Sequence, residues 1–282
     1  MHLYKTSKGN ILKQEANFFL LNDEWDTLIN QQNLYAHLLQ LSTTAKKISE
    51  TDAVDFINNY LLPPIGSQEV WAAGVTYLRS RDARMEESED TGAADCYQRV
   101  YEAERPELFF KSLPHRVSGH QQKVNIRKDS TWNVPEPELT LFINSTGNIQ
   151  AYTIGNDMSS RSIEGENPLY LPQAKMYERS TGLGPCLLVT EMPIPLSTAI
   201  KINITRDGTT MFDDATTLEK MKRSLPELTS WLYREMDFEQ GCFLMTGTCL
   251  VPPNDFTLNE NDIVNISIDG IGTLINTIAE KK

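Results

Sequence analysis

The sequence predicts an α+β, β-rich chain, with a small N-terminal α+β unit (residues 1–65) ahead of a larger catalytic domain (residues 66–282) built from many short strands. Three observations predict this. Apolar and β-branched runs pair across turn residues at 139–154, 199–212 and 263–275, which is the signature of β-hairpins. Helical periodicity is confined to a few stretches, the best carrying Leu218, Met221, Leu225, Leu228 and Leu232 at core spacing. Pro63-Pro64 then marks a break between a first segment with its own strand and helix signals and the remainder. Strands without regular intervening helices suit a barrel or roll rather than a doubly wound sheet.

Each element follows in order. Leu3-Tyr4-Lys5 and Ile11-Leu12 read as short strands around Ser7-Lys8-Gly9-Asn10. Asp23 is placed to cap a helix carrying Leu28, Leu34, Leu38 and Leu39, and Asp52 to cap a second that ends before the two prolines. Val70 to Val75 is a buried strand. The charge-rich stretch 79–95, with Arg79, Arg81, Arg84 and the acidic run Glu86-Glu87-Ser88-Glu89-Asp90, reads as an exposed loop or a lid. Residues 94–105 are helical until Pro106. Glu107 to Lys111 is a strand whose two charged ends share a face. The later helix is expected over 218–236, with Pro226 pulling its start toward Ser224.

Composition narrows the partners. A net charge of −12 disfavours nucleic acid and anionic membranes. Cys96, Cys186, Cys242 and Cys249 match no zinc or redox spacing. No signal-peptide or membrane-length apolar run is evident, so the expected compartment is the cytoplasm.

The chemistry concentrates at Trp132-Asn133-Val134-Pro135-Glu136-Pro137-Glu138-Leu139. In a strand, Glu136 and Glu138 point to one face roughly 7 Å apart, where like charges repel unless a cation lies between them. Pro137 cannot donate to a ladder, which suits an edge or bulge. If the following turn centres on Thr146-Gly147, Asp157 falls opposite Glu136 and brings a third carboxylate to the same face. A one-residue slip would undo this. Three hard oxygen donors without nearby His or Cys suit Mg²⁺, with Mn²⁺ and Ca²⁺ as alternatives, rather than Zn²⁺. The plainer reading is a pair of surface glutamates on a solvated strand.

Seven ordered stretches between residues 70 and 276 resemble the fumarylacetoacetate hydrolase superfamily: Trp71 to Tyr77, Phe110-Lys111, Glu136-Pro137-Glu138, Gly155-Asn156-Asp157, Lys175 with Gly184-Pro185, Thr246-Gly247-Thr248, and Gly270-Ile271-Gly272-Thr273-Leu274. The resemblance implies a mixed β-roll and makes Glu136, Glu138 and Asp157 the metal ligands. It places Glu107 and Lys175 as catalytic candidates. Arg79, Arg84, Lys111, Ser160, Thr246, Gly247 and Thr248 become substrate-side groups, and the assembly an even-numbered homodimer or homotetramer.

One departure bears on the reaction. Members that hydrolyse C–C bonds carry a His just past the first strand, whereas this chain has Leu78-Arg79-Ser80-Arg81-Asp82-Ala83-Arg84 there. The pattern looks instead like the branch that dehydrates 2-keto-3-deoxy sugar acids. The expected reaction is loss of water from a small 2-oxo acid, a five-carbon one giving 2,5-dioxopentanoate, through a metal-stabilised enolate. The alternatives are a C–C hydrolase or lyase on acylpyruvate-like acids, and a binding protein without catalysis.

Overall fold

The computed structural model describes residues 1–87 and 94–280. Strands β1 (His2–Tyr4), β2 (Asn10–Gln14) and β3 (Asn17–Leu21) form a meander, followed by helices α1 (Trp25–Ile29) and α2 (Leu34–Thr44), strand β4 (Lys46–Ile48) and helix α3 (Glu50–Tyr60). Next come β5 (Glu69–Gly74), α4 (Leu78–Glu87), α5 (Ala94–Glu102), β6 (Glu107–Ser112), β7 (Val117–Ser118), β8 (Gln122–Ile126) and β9 (Asn133–Val134). The central hairpin is β10 (Pro137–Ile143) and β11 (Ile149–Asp157), followed by β12 (Ser159–Ser160), α6 (Arg161–Glu166), α7 (Leu171–Lys175) and β13 (Thr181–Leu188). The chain closes with β14 (Ala199–Arg206), β15 (Thr209–Thr217), α8 (Leu225–Leu232), β16 (Cys242–Met245), β17 (Ile263–Ile268) and β18 (Gly272–Glu280).

These strands make a long mixed sheet, β4-β3-β2-β1-β13-β11-β10-β16-β5-β6 with β7 beside β13, and a second sheet, β15-β14-β17-β18-β8. The three predicted hairpins are all present. No helix among the described residues is long and apolar enough to cross a membrane.

Strand β10 is buried on both faces. Leu139, Leu141 and Ile143 pack with Ile202, Ile204, Val264 and Ile266 of the second sheet. Phe142, of opposite parity, packs with Phe243, Val70, Leu3, Leu28 and Leu34. The N-terminal strands therefore extend the main sheet through the β1–β13 pairing, and their apolar side chains share a core with β10 and β16. The change of character at Pro63-Pro64 falls in the connection between α3 and β5.

Several local expectations are corrected by short-range hydrogen bonding. The first helix is two helices, capped by Glu24 and Asn33 rather than by Asp23, because Asn30 closes the first. Ser49 caps α3, and Asp52 is the residue that returns a contact to the Ser49 hydroxyl. The stretch 79–95 is not a loop at its start: α4 turns Ser80, Ala83 and Arg84 inward at helical spacing. Ser88, Glu89 and Asp90 of the acidic run lie outside the described residues. The later helix is only α8, opened by a Ser224/Glu227 capping box with Pro226 in its first turn, and Leu218–Lys220 is a separate 3₁₀ turn. Pro137 lies on a central strand, not an edge. Glu136 and Asp157 exchange both backbone hydrogen bonds, so the next residue's missing N–H points away from β11. On that other side β16 pairs only from Thr140 onward, so no ladder bond is lost.

Phe142 is fully buried and its ring lies 5.3 Å from that of Phe243. Replacing Phe142 by Ala is expected to cost about 3–5 kcal/mol, measured by urea unfolding. Tryptophan fluorescence and far-UV circular dichroism should give one coincident transition, whereas two separated transitions would show that the N-terminal segment melts by itself.

Candidate metal centre and active site

The register of the central hairpin determines what meets at its open end. Pro137 pairs with Asn156, Glu138 with Gly155, and so on to Phe142 with Ala151, before a bulge at Ile143. This is the register expected from a turn at Thr146-Gly147, and Glu136 lies opposite Asp157. Oxygens of Glu136, Glu138 and Asp157 lie within 4.8 Å of one another, all three residues being buried.

Buried cations surround them. Lys175, the last residue of α7, donates from Nζ to Glu136 Oε2 (2.6 Å) and Asp157 Oδ2 (3.1 Å). Lys111 Nζ on β6 lies 2.7 Å from Asp157 Oδ1 and also donates to the carbonyls of Met158 and Lys175. Arg161, opening α6, donates to Glu136 Oε1 at 2.8 Å. Arg84 Nη2 is 4.0 Å from that same oxygen, while its Nη1 pairs with Glu164 Oε1. The Gly247 N–H donates to Glu138 Oε2 at 2.6 Å. A Cβ at Gly247, whose φ is +94°, would collide with Thr76 Oγ1, so glycine is required there.

The electrostatics test whether a cation fits. Burial, then the charges of Asp157 and Glu136, push the Glu138 carboxyl well above its usual range. Burial also works against ionised Asp157, yet Lys111 and Lys175 hold it below the ordinary value. Glu138 thus has two anionic neighbours and no cationic side chain among its hydrogen-bond partners in the described residues. A hard divalent ion among the three carboxylates would offset that repulsion, and the all-oxygen donor set suits magnesium.

Glu107 completes the arrangement. Its Oε2 is buried without a hydrogen-bond partner among the described residues. It lies where a side chain at residue 74 would point, since a Cβ on Gly74 would sit 2.0 Å from it. Burial raises its pKa, tempered by Arg84 and Lys175. The cavity enclosed by Gly74, Val75, Arg84, Phe109, Lys175 and Gly247 with the carboxylates has about 10 Å³ of free volume, on the order of one water. A larger cavity of about 590 Å³ is lined by Arg116, Arg127 and Tyr177. Its Arg127 is engaged by Asp129, and its lining holds two carboxylates, Asp129 and Glu178, rather than three.

With this geometry in hand, comparison places the chain. Residues 70–279 match the Fumarylacetoacetate (FAA) hydrolase C-terminal family. The chain belongs to the fumarylacetoacetate hydrolase family. Within it, the chain is 46% identical over 237 residues (83% of this chain, 81% of the relative) to a Haloferax volcanii protein named "Probable 2-keto-3-deoxyxylonate dehydratase". It is 40% identical over 221 residues (78% and 74%) to the 2-dehydro-3-deoxy-D-arabinonate dehydratase of Saccharolobus solfataricus. A solved structure of 2-keto-3-deoxy-D-arabinonate dehydratase complexed with magnesium and 2,5-dioxopentanoate superposes with a TM-score of 0.83 at 30% identity, covering 100% of this chain and 99% of that one.

Of the residues singled out from sequence, Arg84, Glu136, Glu138, Asp157, Lys175, Gly247 and Thr248 line this family member's cavity. Others lie elsewhere. Lys111 sits behind Asp157, bonded to backbone carbonyls rather than facing the cavity. Thr246 is tied to the Leu139 carbonyl through its N–H and hydroxyl. Ser160 donates to Ser130 Oγ at 2.7 Å, and Arg79 is exposed on α4. Arg161 and Glu164 were not singled out. Their signal was positional: both follow Asp157 within seven residues, in a polar stretch of which Ser159, Ser160, Arg161 and Glu164 are buried.

Glu138 must release its proton before it can ligate, so Mg²⁺ binding is expected to weaken as pH falls through its raised pKa. Calorimetric titration in two buffers of different ionisation enthalpy should show proton release that grows toward lower pH. Buffer-independent heats would mean that Glu138 is already ionised.

Proposed function

We propose that this protein is a magnesium-dependent hydro-lyase that removes water from a five-carbon 2-keto-3-deoxy sugar acid, giving 2,5-dioxopentanoate. The observation that carries the reading is the buried carboxylate triad beside Glu107, whose Oε2 has no hydrogen-bond partner among the described residues. Two relatives above 40% and at 40% identity bear dehydratase names, and the superposed structure holds the corresponding product. The absence of His from Leu78–Glu87 supports dehydration over C–C hydrolysis, because the segment past β5 then supplies no imidazole to activate water.

Held by Glu136, Glu138 and Asp157, magnesium supplies Lewis acidity toward a chelating 2-oxo acid. The residues around it divide the remaining work. Glu107 takes the C3 proton as C4 releases hydroxide, and hands it back so that water leaves. A C5 proton then moves to C3 and the C5 hydroxyl proton to C4, turning the unsaturated alcohol into the aldehyde. Burial suits Glu107 to this, since a raised pKa makes its carboxylate a stronger base. Lys175 holds Glu136 and Asp157 in place and is the second candidate for proton transfer. Arg84, on the covering helix α4, faces the substrate's polar groups. Water is kept out by Phe109, Val75 and α4. We further read the assembly as a homodimer or homotetramer in the cytoplasm, with the cysteines free as they are here.

Incubation with 2-keto-3-deoxypentonate and Mg²⁺ should yield 2,5-dioxopentanoate, and chelation should abolish it. Carboxylic acid released from an acylpyruvate instead would overturn the assignment. Glu107→Gln is expected to lower kcat by about 10²–10⁴-fold while Mg²⁺ affinity stays unchanged. Light scattering after size exclusion measures the assembly.

A further inference from the structure

We propose that Glu164 is a positioning residue: it is the counter-ion that holds Arg84 away from the metal ligand Glu136, and so keeps that ligand available to the cation. The inference rests on the three carboxylates being a metal centre, and not on which acid is dehydrated.

Four observations lead there. Glu164 is fully buried on α6. Its Oε2 accepts from Ser159 Oγ at 3.1 Å, which fixes the carboxylate, and its Oε1 takes Arg84 Nη1. Arg84 is itself buried, comes from α4 across the cavity, and has its guanidinium 5.8 Å from the Tyr97 ring centroid. Its second nitrogen, Nη2, stops 4.0 Å from Glu136 Oε1, an oxygen already taken by Arg161 at 2.8 Å. Buried charges thus alternate along one line: Glu164, Arg84, Glu136, Arg161.

Remove the first charge and the next rearranges. A buried guanidinium cannot stay unpaired at low cost. With Glu164 gone, the carboxylate that acts most strongly on Arg84 is Glu136, ahead of Glu107, and it lies only about 1 Å beyond hydrogen-bond distance. Arg84 would close that gap, and Glu136 would then neutralise two arginines and Lys175 instead of a divalent ion. Glu164 also ties α4 to α6, so the same ion pair fastens the covering helix over the centre.

The test is Mg²⁺ titration by calorimetry on the full chain, without substrate, for wild type, Glu164→Gln, Arg84→Gln and the double variant. The expected results are at least about tenfold weaker Mg²⁺ binding in Glu164→Gln, and recovery in the double variant to within about threefold of Arg84→Gln, as coupled neighbours require. Wild-type affinity in Glu164→Gln would overturn the proposal. So would a double variant as weak as the single one while circular dichroism shows both folded. If Glu164→Gln does not fold, Glu164→Asp is titrated in its place; a weakened affinity supports the proposal and an unchanged one refutes it. Failure to dehydrate any sugar acid, with this Mg²⁺ pattern intact, would sink the substrate assignment alone.

Discussion

Three carboxylates held within 4.8 Å of one another in a buried site set the terms for everything around them. Each ionised carboxylate in a low-dielectric interior raises the cost of the others. The fold answers with Lys175 and Lys111 on Asp157, Lys175 and Arg161 on Glu136, and a backbone N–H on Glu138. These partners come from α7, β6, α6 and the loop after β16, elements far apart in sequence. Convergence of so many chain segments on one charge problem explains why the site sits where sheet and covering helices meet. It also explains why Glu138, with the least compensation, is the ligand most in need of a cation.

Much of this could be read from residue order alone, and the reason is periodicity. A hairpin is a local object with a fixed side-chain repeat, so a turn at Thr146-Gly147 was enough to bring Asp157 to Glu136 twenty-one residues earlier. The strands β14–β15 and β17–β18 were legible for the same cause. Helix ends were less so. Asp23 competed with Glu24, and Asp52 with Ser49, for a cap that only backbone geometry decides.

What stayed hidden was polar burial. Helix α4 turns Ser80, Ala83 and Arg84 inward, and the packing face of a helix is ordinarily recognised by apolar residues at that spacing. Its inner face answers the charge of the site rather than an oily core, so its sequence resembles a surface loop. Glu164 was obscured likewise, and Lys111 was expected beside the substrate rather than behind Asp157, because their partners are carbonyls and side chains brought by tertiary contacts. Joining of the N-terminal strands to β13 depends on pairing between residues about 185 apart, as His2 with Leu188, which no local pattern encodes.

The anchoring of the metal ligands on the central hairpin has a consequence for how the centre behaves on heating. Metal ligands on loops can loosen while the scaffold stays folded. Here Glu138 and Asp157 are strand residues, Glu136 is tied to Asp157 by two backbone bonds, and β10 is packed on both faces. The ligands have no soft hinge through which to part. Thermal inactivation is thereby linked to global unfolding, so the protein should stay competent to rebind its ion up to its melting point.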